Sequence, residues 1–172
     1  MSIIICPGIH GSELTEQFIQ GIQDRVKQDY LVLTIEYSPY SAIAVTQWLN
    51  RQSLSKAEPL SFISFSAGVV GSFGAAWAWQ LGGGQISNFI AVDGWGMPLS
   101  ANFPLHRVSH DYFTHWSSRI LGAGQQDFYA DPGVEHLELW RSPTTSYGWR
   151  IIAPGQKTRD TFSNYLANVL NS

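Results

Sequence analysis

Short apolar runs alternate with amphipathic stretches along this chain. Ile3-Ile4-Ile5-Cys6 is a continuous apolar run stopped by Pro7-Gly8, the pattern of a strand buried on both faces. From Glu13 to Lys27, Leu14, Phe18, Ile22 and Val26 recur every fourth residue and share one helical face. Tyr30 to Ile35 is rich in β-branched and aromatic residues and predicts a second strand. Ser41 is placed to cap a helix through Val45, Trp48 and Leu49. A third strand is expected over Leu60 to Ser64, then a small-residue helix from Ala67 to Leu81 closed by Gly82-Gly83-Gly84. Further strands are expected at Phe89–Val92, Leu105–Ser109 and Asp127–Tyr129, with helices at about Thr114–Leu121 and Arg159–Leu170. The stretch from Ser142 to Gly155 fits no element cleanly. Alternating strands and helices imply an α/β fold in three layers, α/β/α, around a mostly parallel six-stranded sheet.

The 172 residues suit one domain over 1–172, without repeat, linker or low-complexity tract. Hydrophobic residues make up 44% and charged residues only 13%, about half the usual share of roughly 25%. Such a chain is globular rather than disordered. With a formal charge of −3 and no basic cluster it lacks the electrostatic footprint of a nucleic-acid binder. A lone cysteine, Cys6, allows no internal disulfide, which points to a reducing compartment. Met1-Ser2 leads straight into the first apolar run, unlike a signal peptide, and no run approaches the roughly 20 residues of a membrane span. The expectation is a cytoplasmic protein. Seven Trp and nine Phe leave room for an apolar-substrate face or a homo-oligomer contact.

The most informative segment is Phe62-Ile63-Ser64-Phe65-Ser66-Ala67-Gly68. A strand ends, one serine falls on a tight turn, and a helix begins, which is the setting of the Gly-x-Ser-x-Gly nucleophile elbow. Ser64 stands where the pattern has its first glycine; Gly68 matches the second. The turn sets Ser66 at a helix N-terminus, where the amide of Ala67 is an oxyanion donor. Here the chain resembles the α/β-hydrolase superfamily, most closely the minimal lidless lipases and esterases, and the resemblance runs over nearly its whole length. Ile5-Cys6-Pro7-Gly8-Ile9-His10-Gly11 looks like the family's His-Gly-x-Gly loop, with Pro7 in place of histidine. That alignment implies the amide of Ile9 as second oxyanion donor, or those of His10 or Ser12 if the register shifts.

The serine needs a base and the base an orienting acid. Among His10, His106, His110, His115 and His136, the resemblance selects His136, in a segment similar to the family's Gly-x-x-His loop after the last strand. The family's usual acid position, after the fifth strand, points to Asp111; Asp93, ahead of Gly94, is the competitor. The implied activity is acyl transfer from an ester or thioester, of short or medium acyl length, with no metal or organic cofactor. His10, Phe65, Trp95 and Met97 are the expected substrate contacts, the loop from Gly94 to Pro104 a pocket wall, and Trp140 and Trp149 its far side. A metal site among His106, His110, Asp111 and His115 lacks a recognised ligand spacing. No dinucleotide or phosphate-loop glycine pattern follows any strand. The alternative class is a catalytically inactive binding protein on the same fold.

Overall fold

The computed structural model describes residues 2–172. The chain alternates as β1 (Ser2–Cys6), α1 (Ser12–Ile22), β2 (Asp29–Val32), α2 (Ala42–Asn50), β3 (Leu60–Phe65), α3 (Ala67–Leu81), β4 (Ile86–Val92), β5 (Leu105–Ser109), α4 (Tyr112–Arg119), β6 (Asp127–Ala130), α5 (His136–Arg141), β7 (Tyr147–Ala153), β8 (Gln156–Thr161) and α6 (Phe162–Leu170). All eight strands join one sheet, in the order β2-β1-β3-β4-β5-β6-β7-β8. The first six strands pair in parallel, and β7 and β8 add an antiparallel hairpin at one edge.

The continuous apolar strands are explained by two cores. Ile3 and Ile5 of β1 face one core, with Phe18 and Ile22 of α1, Trp140 of α5 and Leu166 of α6. Ile4 and Cys6 face the other, with Val45 and Trp48 of α2 and Val69 and Trp79 of α3. Successive side chains of a strand point to opposite faces, so a strand covered on both sides must be apolar throughout. Among the described residues, no helix is long and apolar enough to cross a membrane.

The sheet has eight strands, not the six that the pattern predicts. The missed pair spans the segment that fitted no element and the polar run Gln156–Thr161, whose second half, from Arg159, was read as helix. That last strand is exposed along most of its length and carries Lys157 and Arg159, as suits the edge of a sheet. The final helix starts only at Phe162, where the Thr161 hydroxyl accepts from the Asn164 amide at 3.2 Å. The first helix ends at Ile22, five residues early; Val26 still packs in the same core beyond its end.

The chain leaves β1 to one side for β2, then returns to the other side for β3. With α1 on one face of the sheet and α3 on the other, the loops after β1 and β3 diverge and open a crevice at the carboxyl ends.

Candidate active site

Ser66 follows β3 directly, at φ 53° and ψ −120°, and α3 begins at the next residue. Only Ser66 and Asp93 are non-glycine residues with positive φ among the described residues. Such a backbone costs about 1–3 kcal/mol and persists only when its surroundings hold it. Here the Ser66 amide donates to Val92 O at 2.9 Å, so the corner is still tied to the sheet. Gly68 lets α3 start this close: a Cβ there would stand 2.2 Å from the carbonyl oxygen of Cys6. Gly8 does the same for the first loop, since its Cβ would fall 3.0 Å from the Cβ of Ser66. Ser64, in the place of a glycine, turns away from the corner into the core and accepts a hydrogen bond from Ser72 Oγ on α3 at 2.6 Å.

Asp93 ends β4, the next strand over, with φ 50°. Its carboxylate is buried and takes three donors: the His110 amide on Oδ1 at 2.9 Å, His110 Nδ1 on Oδ2 at 3.0 Å, and His136 Nδ1 on Oδ2 at 2.7 Å. Burial pushes this carboxyl up, but the bonds from the two imidazoles and the charge of His110 outweigh it and hold Asp93 below the usual carboxylate range. His110 is held above the ordinary imidazole value, first by its bond to Asp93 and further by the charges of Asp93, Asp111 and Glu135, against burial. The His136 ring lies on the Phe65 ring, stacked with centroids 4.6 Å apart, and Phe65 is the residue before Ser66. The loop bearing His136 is pinned to the end of β5 by the Val134 amide on His110 O at 2.9 Å. A carboxylate can only accept, so the His136 Nδ1 that meets it carries a proton, and Nε2 of the neutral ring is an unprotonated base. No hydrogen bond joins the Ser66 hydroxyl to His136.

The predicted site residues separate clearly. Ser66, Phe65, His136 and Asp93 come together, and Ala67 opens α3, where first-turn amides lack an intrahelical acceptor. Asp111, the acid expected first, is not on His136. It caps α4, accepting from the Thr114 amide at 2.7 Å, and its other oxygen is 3.6 Å from His110 Nε2. His106 is spent on Asn88 and on the Gln126 carbonyl. His115 is stacked on Tyr129, and burial, with Arg119 and Arg107 nearby, pushes it down to about 4.

The expected pocket wall is displaced. Trp95 is exposed and donates to Ser117 Oγ at 3.0 Å, Leu99 and Phe103 are core residues, and Met97 packs on that same core. Buried Arg107 ties this loop down through the carbonyls of Met97 and Leu121. Trp140 lies wholly in the core and Trp149 is held by Asp131. A cleft of about 510 Å3 opens between the β1–α1 and β2–α2 loops; it reaches Gly8, the neighbour of Ser66, but Ser66 and His136 do not line it. Gly8, Ile9 and His10 line it, as do Thr15, Leu33 and Ile35. Of the predicted contacts only His10 lines it. Thr15 and Ile35 gave no chemical signal in the sequence, because a helical threonine and a strand-end isoleucine read as ordinary packing.

Asp93, His110 and His136 each bring a possible ligand atom within 4.8 Å of the others, so this trio could hold a metal ion. As it stands, both Nδ1 atoms meet one carboxylate oxygen at hydrogen-bond distances. Ligand atoms on a tetrahedral zinc lie about 3.3 Å apart, given bonds of about 2.0–2.1 Å. The 2.7 Å approach of His136 to Asp93 is too close for that and fits a shared proton better. No protein-family model matches the chain, and no curated protein matches it.

Proposed function

We propose that this chain is a serine hydrolase of the α/β-hydrolase type, cleaving a carboxylic ester or thioester through an acyl-enzyme on Ser66. The observation that carries the reading is the strained strand-to-helix corner at Ser66, beside an imidazole whose Nδ1 is bonded to a buried carboxylate. A backbone this costly at a serine calls for a function that needs the hydroxyl there.

In this reading His136 Nε2 takes the Ser66 proton as Oγ bonds to the acyl carbon. The amides of Ala67 and Ile9 hold the oxyanion, typically worth about 3 kcal/mol per donor. The bond to the alcohol or thiol breaks, and His136 returns the proton to that leaving group. Water, deprotonated by His136, then attacks the acyl carbon, and Ser66 leaves with the proton as the carboxylic acid departs. Asp93, rather than Asp111, keeps the ring in its working tautomer and offsets its positive charge.

One observation favours the second reading, a non-catalytic binding protein: Ser66 and His136 are not hydrogen-bonded to each other. Such bonds are often long before substrate binds. A fluorophosphonate probe decides between the two. Covalent labelling that is lost in Ser66→Ala and untouched by a metal chelator supports the hydrolase; folded protein that stays unlabelled supports the binding protein.

A further inference from the structure

We propose that His110 is a positioning residue for the Asp93–His136 pair: it holds the carboxylate toward His136 and takes up the proton that would otherwise disable the base. That His136 is a base rests on the serine-hydrolase reading; the grip on Asp93 and the order of protonation do not.

His110 is the first residue after β5, and it holds Asp93 by both oxygens. Its amide donates to Oδ1 at 2.9 Å and its ring Nδ1 to Oδ2 at 3.0 Å. Oδ2 is the oxygen that His136 Nδ1 meets at 2.7 Å. A carboxylate swings about its Cβ–Cγ bond unless both oxygens are bound. Here one residue binds both, on a side chain that is only 2% exposed. The same residue anchors the other partner, because its carbonyl accepts from the Val134 amide at 2.9 Å, two residues before His136. Acid and base are thus both located from position 110.

A clamp needs only a donor, and an amide side chain would serve. An imidazole adds a charge, and the surroundings of this ring favour it. Nδ1 already carries a proton, so a second goes to Nε2, which faces Asp111 Oδ2 at 3.6 Å. Three carboxylates act on the ring: Asp93 from the end of β4, Asp111 from the turn into α4, and Glu135 from the loop before α5. The bond to Asp93 and these charges hold His110 above the ordinary imidazole value, against burial. His136 faces it edge-on, with ring centroids 6.0 Å apart. Two imidazoles this close, on one oxygen, do not titrate independently. A charged His110 offsets the Asp93 charge and repels a second cation beside it. His136 then stays an unprotonated base further into the acid range.

Two variants of the full chain separate the clamp from the charge, with a chelator present throughout so that no metal ion sits on the trio. His110→Leu removes the ring donor and the charge. His110→Asn keeps a donor at the place of Nδ1 and removes only the charge. One readout is the rate of labelling by a fluorophosphonate across pH. The other is the nitrogen resonances of the His136 ring, which report its protons without any catalysis. Above the titration of His110, labelling of His110→Leu should be about tenfold slower than that of the parent, and His110→Asn should recover all but about threefold. On the acid side, the limb of the labelling profile in His110→Asn should lie about one pH unit higher than in the parent, and His136 should gain its second proton higher by the same interval. A His136 titration in folded His110→Asn that matches the parent overturns the inference, as does folded His110→Leu that labels as fast as the parent. Labelling at Ser66 with either of those results leaves the hydrolase standing. A shifted His136 titration in protein that no fluorophosphonate labels keeps the role of His110 and removes the hydrolase.

Discussion

Replacing Asp93 by asparagine, beside the same change at Asp111, tests which carboxylate serves the base. Oδ2 of Asp93, a side chain that is almost wholly buried, receives His136 Nδ1 at 2.7 Å in a short charge-assisted bond. Asparagine keeps the shape but can present its NH2 to the ring, which favours the wrong tautomer. It also removes the charge that offsets an imidazolium. At a triad acid this change lowers kcat by about 10^4, or about 5.4 kcal/mol at 1.36 kcal/mol per decade. His110 moderates the figure. It meets the same oxygen at 3.0 Å and, while charged, already neutralises part of the carboxylate. The expected loss is therefore about 10^3 where His110 is protonated, rising toward about 10^4 above its titration. Asparagine at 111 still caps α4 and touches only His110, at 3.6 Å, so that variant should stay within about threefold of the parent. The assay is kcat on a p-nitrophenyl ester across pH, with circular dichroism confirming the fold of each variant. Folded Asp93→Asn that keeps more than a tenth of parental kcat, or Asp111→Asn that loses as much as Asp93→Asn, refutes the assignment.

Gly68→Ala drives a Cβ to within 2.2 Å of Cys6 O and 2.6 Å of Pro7 O, both backbone atoms, so a loss of about 2–4 kcal/mol in urea unfolding is expected; a loss below 1 kcal/mol would mean that α3 can draw back. His110 has a raised folded pKa, so its stabilisation is full below the unfolded value of about 6.5 and fades as pH rises through the folded one. Asp93, held low, stays ionised over that window; the Tm deficit of His110→Gln should thus be larger near about pH 5 than near about pH 9, and a constant deficit would count against the pairing. Ser66→Gly should be more stable than Ser66→Ala by about 1–2 kcal/mol in the same unfolding assay, because only glycine is at ease at φ 53°. Equal stability of the two would show a corner without strain.

The α/β character and the serine corner were legible because both write strong local patterns. Apolar strands stopped by Pro7-Gly8 or by Ser66 signal burial on two faces and a sharp exit. The hairpin strands β7 and β8 were not legible, since β7 is only partly buried along most of its length and β8, at the sheet edge, carries polar residues where a central strand would carry isoleucine. The order of the two candidate acids was also beyond the sequence. Asp93 and Asp111 both follow strands at the same edge of the sheet, and what separates them is local: Asp111 has a helix amide three residues ahead to cap, whereas Asp93 has a strained backbone and two imidazoles arriving from β5 and α5. The burial of part of the expected pocket wall was not legible for a similar reason. The Gly94–Pro104 loop is rich in large apolar residues, but Leu99 and Phe103 are consumed by the core.

The departures from the hydrolase pattern are absorbed by packing rather than left as faults. A glycine two residues before the nucleophile would give β3 and α3 room to approach. Ser64 fills that room with a hydroxyl that meets Ser72 Oγ at 2.6 Å, in a pocket closed by Cys6. Burial pushes the Cys6 thiol up to about 12 even with those two hydroxyls beside it, so the thiol stays neutral. A buried hydroxyl pair with both partners present adds a directed bond between the strand and the helix that flank Ser66. Strain at Ser66 and at Asp93 can persist because each amide still donates to the neighbouring strand, to Val92 O and Val108 O. The corner is thus gripped from the sheet on one side and from the Ser64–Ser72 contact beneath it. Under the proposed hydrolase reading, such a frame would hold Ser66 in place relative to His136.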